Sequence, residues 1–130
     1  MLGEHTIDVM LLSTNLEATK EFYGAKLGLK ILFEEENVFV TFKCAGDSRV
    51  VVTKSTVGTS DEQTQACWRV DDLSAEVAEL RAHGVEILDF PDLNTKDGIA
   101  DVGFAFTAAF EDPHRNSLAL IQFKKDPDIT

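Results

Sequence analysis

The chain has 130 residues, 44% hydrophobic and 27% charged, which suits one globular domain, residues 1–130, whose core closes without disulfides or a structural metal. No apolar run approaches a membrane span, and the N-terminal sequence shows no signal-peptide pattern, so we expect a cytoplasmic protein with two reduced cysteines. Acidic residues outnumber basic residues 23 to 12, for a net charge of −11. This charge disfavours nucleic acid and anionic membranes as partners and attracts cations.

The first half of the chain predicts a strand, a helix and three further strands. Apolar residues at 6–12 predict the first strand. Thr14 and Glu17 predict a capping box at the start of the helix, and Gly28 fits its left-handed C-cap. Three β-rich segments follow at 29–35, 38–43 and 49–54.

The second half predicts the same order of elements. A strand at 65–70 precedes a helix that ends at Gly84. Three β-rich segments follow at 85–90, 103–110 and 117–123. The segment 94–103 is a loop long enough to move over a pocket.

These two halves are copies of one βαβββ unit. Asn15-Leu16 aligns with Asp72-Leu73, and the segment 47–52 aligns with 116–121 at an offset of 69 residues. Copy one covers about residues 5–55 and copy two about 65–124, and the polar segment 56–64 links them.

The repeat, the Asn/Asp-Leu helix starts, the His-Gly-Val after the second helix and the F-x-D-P-x-x-N-x-L-x-L sequence at 110–120 resemble the vicinal oxygen chelate superfamily. That group contains glyoxalase I, extradiol dioxygenases and bleomycin-binding proteins. The resemblance implies an α+β fold in which two βαβββ units form a paired, cup-shaped mixed β-sheet with helices on the outside. It also implies a ligand cavity in the cup, and association as a homodimer.

In that family a divalent metal is held by one residue from the first strand and one from the last strand of each unit. The resemblance places these positions at Asp8, Gln65 and Ala119, and the repeat offset adds Val50. Alanine and valine have no lone pair to donate, whereas a transition-metal site needs at least three protein ligands. We therefore predict no metal and no other cofactor, with a divalent metal as the alternative.

Strand alternation predicts which side chains line the cup. Asp8 and Arg69 either form an ion pair, stay as two solvated charges at the rim, or contact the ligand. Cys67 has no histidine nearby to activate it, so we interpret it as a wall residue. The predicted ligand-binding residues are Asp8, Met10, Phe39, Val50, Gln65, Cys67, Arg69 and Ala119.

Trp68 follows the strand alternation, and Arg115 departs from the family's turn pattern. Trp68 alternates onto the opposite face, toward the helix, which favours a place in the core. Arg115 stands where the family's turn has glycine, so either the turn differs or Arg115 adopts a positive φ.

The sequence predicts a metal-free protein of the glyoxalase/bleomycin-resistance type that binds a small cationic or aromatic molecule, a drug or a metabolite. The alternative is a lyase, isomerase or dioxygenase of the same superfamily that uses a divalent metal. A dimerisation module is a third class. In each case, we expect no nucleic acid and no membrane partner.

Overall fold

The computed structural model describes residues 1–56 and 63–125. Most of the predicted linker, at 57–62, and the C-terminal residues 126–130 lie outside the described residues. None of the helices in the described residues has the length and hydropathy of a membrane span.

Two four-stranded mixed sheets make up the fold. In unit one the strand order is β1-β4-β3-β2, and in unit two it is β5-β8-β7-β6. In each unit the first strand pairs in parallel with the last, and the other neighbours are antiparallel. The strands are β1 Asp8–Ser13, β2 Lys30–Glu35, β3 Phe39–Lys43, β4 Arg49–Lys54, β5 Ala66–Arg69, β6 Ala100–Asp101, β7 Ala105–Glu111 and β8 Ser117–Phe123.

Each sheet packs against one helix. Helix α1, Leu16–Lys20, continues into a π-helical turn at Glu21–Lys26, and α2 spans Leu73–Ala82. Short 3-10 turns lie at Leu2–Glu4 and Pro91–Leu93. This arrangement confirms the predicted α+β fold of two βαβββ units.

The predicted capping box at Thr14 is wrong by one residue. The N-cap is Asn15, whose side-chain oxygen accepts a hydrogen bond from the Ala18 amide at 3.1 Å. The Asn15 amide donates to the Ser13 hydroxyl at 3.0 Å. In the predicted capping box the side chain of Glu17 would accept from the N-cap amide, and here Ser13 accepts instead. The helix therefore begins after Asn15, a residue type strongly preferred at N-caps.

Unit two repeats these helix ends. Asp72 caps α2 by accepting from the Ala75 amide at 3.1 Å. Gly28 and Gly84 have φ angles of 77° and 85°, which confirms both glycines as left-handed C-caps.

The strand predicted at 85–90 does not form. Only Leu88 pairs with the sheet, as an isolated bridge to Ala109. Pro91 follows directly, lacks an N–H group and begins a 3-10 turn, so the ladder cannot continue. The edge position is filled instead by β6, which comes from the segment predicted as a loop at 94–103.

A buried polar network joins the two units. The Tyr23 hydroxyl donates to Asp112 Oδ2 at 2.8 Å. Asn116 donates through Nδ2 to the same carboxylate at 2.6 Å and to the Leu12 carbonyl at 2.9 Å. The amides of His114 and Asn116 donate to Asp112 Oδ1 at 2.8 and 2.9 Å. The turn between β7 and β8 is thereby attached to β1 and to the first helix.

The junction also has an apolar part. Phe22 packs against Phe110 of unit two with ring centroids 6.5 Å apart, and Tyr23 packs against Phe42 at 5.3 Å. Trp68, predicted to lie in the core, is half-buried and packs against the core with its ring stacked on Phe110 at 6.3 Å. One hydrophobic core thus runs through both units.

Of the two alternatives for Arg115, the structure shows the second. Arg115 has a φ of 65°, and its amide donates to the Asp112 carbonyl at 3.0 Å. A left-handed backbone costs a residue with a side chain about 1–2 kcal/mol. The hydrogen bonds around Asp112 hold the turn in place despite this cost.

The buried hydroxyl of Tyr23 gives a testable pH dependence. Burial, followed by the charge of Asp112 and its hydrogen bond, raises the pKa of Tyr23 far above its usual range. Because the pKa is higher in the folded state, protonated Tyr23 stabilises the fold. This stabilisation is fully present below roughly pH 10, the pKa of an unfolded tyrosine, and is lost as the pH rises further.

Tyr23 is the only tyrosine in the chain, so tyrosinate absorbance reports on this group alone. We expect tyrosinate to appear only together with the loss of circular dichroism in an alkaline titration. Tyrosinate formation near pH 10 with the fold intact would contradict a buried, hydrogen-bonded Tyr23.

Candidate functional site

Pairing between strands defines the two faces of the unit-one sheet. Asp8 lies opposite Arg49 and Met10 opposite Val51, while Val50 lies opposite Val9. Val50 is 3% exposed and belongs to the core. The expected place of Val50 on the cup face is therefore wrong.

A slip of one residue explains this error. In unit two Ala119 pairs with Cys67, and the corresponding pair in unit one is Val51 with Met10. The sequence offset of 69 is one residue too long, and such a slip reverses the face of every side chain in a strand. Val51 also has no metal donor, so the count of donors at the four positions does not change.

Asp8 forms a two-point ion pair with Arg49 rather than with Arg69. Arg49 Nε donates to Oδ1 at 3.0 Å, and Nη2 donates to Oδ2 at 2.6 Å. The hydrogen bond from Arg49 lowers the pKa of Asp8 below its usual range. The parallel pairing of the first and last strands was the signal for this partner, because it places Arg49 directly opposite Asp8.

The side-chain amide of Gln65 is likewise hydrogen-bonded within the protein. Its side-chain oxygen accepts from the Ser117 amide at 2.8 Å, and its side-chain nitrogen donates to Asn116 Oδ1 at 3.0 Å. Gln65 therefore supports the turn before β8 and has its amide committed at both ends.

A cavity of about 420 Å³ lies over the concave face of the unit-two sheet. Its floor is made of small side chains on neighbouring strands. The floor residues are Cys67, Ala100, Thr107, Ala109 and Ala119. Thr95 and Gly98 line it from the segment predicted as a loop at 94–103, and Phe90 and Leu93 line it from the residues just before that segment.

Hydrogen bonds hold that covering segment in shape. Asp89 Oδ1 accepts from the Thr95 hydroxyl at 3.1 Å and from the Gly98 amide at 3.0 Å. Arg81 Nη2 donates to the Asp97 carbonyl at 2.7 Å. The cover is therefore fixed by two side chains that do not line the cavity.

Within residues 1–56 and 63–125, no ionised side chain lines the cavity. Burial raises the pKa of the Cys67 thiol, so the thiol is protonated at neutral pH and is a poor nucleophile. The histidines lie elsewhere: His83 binds the Glu79 carbonyl at 2.9 Å, and His114 lies 3.2 Å from the Thr14 hydroxyl. The cavity can bind a ligand by shape and apolar contact.

Other predicted contacts lie outside this cavity. Met10 is 61% exposed on the concave face of unit one. Phe39 shares that face and makes an edge-to-face contact with Phe33 at 5.7 Å. Arg69 lies beyond Cys67, opposite Ile121.

The four superfamily metal positions do not fit a metal ion. Asp8 is paired with Arg49, Gln65 is committed to the turn, and Val51 and Ala119 have no donor atoms. Within residues 1–56 and 63–125, no group of three or more His, Cys, Asp or Glu side chains is placed to hold a metal. These four positions therefore support no metal-dependent reaction step.

The structure has two paired βαβββ units, with a cavity over the concave sheet of unit two. This is the architecture that the sequence pattern predicted. The family model of the Glyoxalase/Bleomycin resistance protein/Dioxygenase superfamily matches residues 6–120, and the chain belongs to this superfamily. A comparison with curated proteins gave no match.

Solved structures agree with the fold. The chain is similar to the glyoxalase family protein from Enterococcus faecalis, at 22% identity and a TM-score of 0.72 over 93% of this chain and 99% of that chain. It is similar to TnmS3, an antibiotic binding protein from Streptomyces sp. CB03234, at 21% and 0.67 over 92% and 96%. It is also similar to lactoylglutathione lyase from Agrobacterium tumefaciens, at 18% and 0.66 over 91% and 92%.

Proposed function

We propose that this chain is a metal-free binding protein that takes a small, mainly apolar or aromatic molecule, a drug or a metabolite, into the unit-two cavity. The carrying observation is the floor of Cys67, Ala109 and Ala119, which leaves about 420 Å³ of uncharged space where the superfamily places a metal donor. Ligand sites are typically clefts of this size with apolar walls. Similarity to an antibiotic binding protein supports the proposal.

Charge contributes to the choice of ligand only at long range. Among the described residues, no carboxylate lines the cavity wall to pair with a cation, whereas the whole chain has a net charge of −11. A cationic ligand would therefore bind faster than a neutral one of the same shape, and salt would remove most of the difference.

The alternative, a lyase, isomerase or dioxygenase with a divalent metal, has less support. The similarity to lactoylglutathione lyase favours it. Its chemistry needs metal ligands or a general base at the cavity, and the part of the lining that the structure describes consists of apolar groups, hydroxyls and the protonated thiol of Cys67.

The thiol of Cys67 provides a direct test of cavity occupancy. In a Cys44→Ala background it is the only thiol of the chain. A screen of neutral planar aromatic compounds should find ligands that raise Tm and also slow modification of Cys67. At a ligand concentration of about ten times Kd, we expect modification to be roughly tenfold slower.

A matched pair of variants locates the binding site. Ala119→Leu fills the cavity and should remove both the Tm increase and the protection, while Ala45→Leu, in an exposed loop, should keep both. Ligands that stabilise the protein without protecting Cys67 would place binding elsewhere, as would ligands that still bind Ala119→Leu.

We also infer a homodimer formed through the concave face of unit one. Met10, Leu12 and Phe33 share that face and are 61%, 40% and 49% exposed, and contiguous exposed apolar groups typically mark an interface. We further expect the protein in the cytoplasm, where the free thiols Cys44 and Cys67 remain reduced.

Sedimentation equilibrium tests the dimer. Met10→Lys should shift the protein from dimer to monomer, because it places a charge in the apolar contact. Val38→Lys is the control, since Val38 is 47% exposed in the turn between β2 and β3. A wild-type monomer at micromolar concentration would refute this interface.

A further inference from the structure

We infer that a groove at one end of the unit-one sheet binds an anionic group, a carboxylate or a phosphate. The groove has a volume of about 440 Å³. Lys43 and Arg49 provide positive charge, Thr6 provides a hydroxyl group, and Leu32 provides an apolar wall. The Ser48 hydroxyl also lines the groove and donates to the Ala45 carbonyl at 2.6 Å.

This site is separate from the unit-two cavity and does not rest on the function proposed for it. It lies at the strand ends of the unit-one face, beyond the middle of that face at Met10 and Leu12, where the dimer contact is proposed.

Strand pairing places three cations side by side here. Lys30 lies opposite Lys43, and Lys43 lies opposite Arg49, on the same face of the sheet. Like charges in directly opposite positions destabilise a sheet. The chain has only 12 basic residues against 23 acidic ones. Three neighbouring cations are therefore not expected from its composition alone.

The lysines of this row are not neutralised by the protein. In the part of the chain that the structure describes, neither Lys30 nor Lys43 forms an ion pair, and Asp8 binds Arg49 alone. Asp47 also lines the groove and offsets a second cation, so the excess positive charge comes from Lys30, which lies beside Lys43 outside the lining. An anionic ligand would supply the missing counter-charge.

Arg49 is already oriented for such a ligand. Asp8 uses its Nε and one Nη2 hydrogen, and the guanidinium carbon lies 5.8 Å from the centre of the Phe33 ring. A guanidinium has five N–H groups, so the remaining ones are free to donate to an anion. Fixing the group in advance reduces the entropy lost on binding.

Protection of a sheet edge does not explain the row. Lysines on edge strands prevent pairing with other chains, and Lys30 lies on the edge strand β2. Lys43 and Arg49 lie on the interior strands β3 and β4, where no edge needs protection.

The test uses inorganic phosphate and benzoate, titrated separately against chloride at constant ionic strength. We expect at least one of them to raise Tm of the wild-type protein. Lys43→Gln should weaken its Kd about tenfold, the effect of losing one charged hydrogen bond. Lys54→Gln is the matched control, because Lys54 is an exposed lysine at the other end of β4.

Each outcome decides the inference. Stabilisation by phosphate alone identifies a phosphate ligand, stabilisation by benzoate alone a carboxylate ligand, and stabilisation by both their shared anionic chemistry. The inference is overturned if neither anion binds the wild type, or if Lys54→Gln weakens binding as much as Lys43→Gln. The Ala119→Leu variant should bind the anion normally, which separates this result from the outcome at the other cavity.

Discussion

The structure depends on one buried carboxylate, that of Asp112. It is 4% exposed and accepts hydrogen bonds from the Tyr23 hydroxyl, the Asn116 side chain and the amides of His114 and Asn116. A buried charge is tolerated only when it is well hydrogen-bonded, and here one of the donors comes from the other unit. Separating the units would remove the Tyr23 hydroxyl as a donor to this carboxylate. The hydrogen bonds from Asn116 fix the start of β8, the strand on which Ala119 lines the cavity.

The sequence predicted the general architecture well because its signals are local. The two left-handed glycines, Gly28 and Gly84, and the strand alternation around Cys67 were each readable from neighbouring residues. Two errors are local, because Asn15 rather than Thr14 caps the first helix and the segment 85–90 does not form a strand. The error at Val50 involves longer spacing: its place depended on loop lengths that differ between the copies, so the face was reversed. Strand pairing across the chain also decided that Arg49 lies opposite Asp8, which no local pattern could show.

The two concave faces have the same strand order and opposite chemistry. In unit one the face bears the Asp8–Arg49 ion pair with Lys43 beside it, all close to the ends of their strands. In unit two the corresponding floor has the small uncharged side chains of Cys67 and Ala119. A scaffold of this kind can hold different ligands because the side chains on its concave faces are not the ones that hold the two units together.

The central claim is that the superfamily's metal positions no longer form a metal site. Calorimetric titration of the untagged wild-type chain with Ni²⁺ or Zn²⁺ tests it most directly. The structure predicts no stoichiometric binding, because Asp8 and Gln65 are committed to other partners and Ala119 has no donor. Tight stoichiometric binding that is lost in Asp8→Ala would contradict the claim, since it would show that the carboxylate leaves Arg49 to hold a metal.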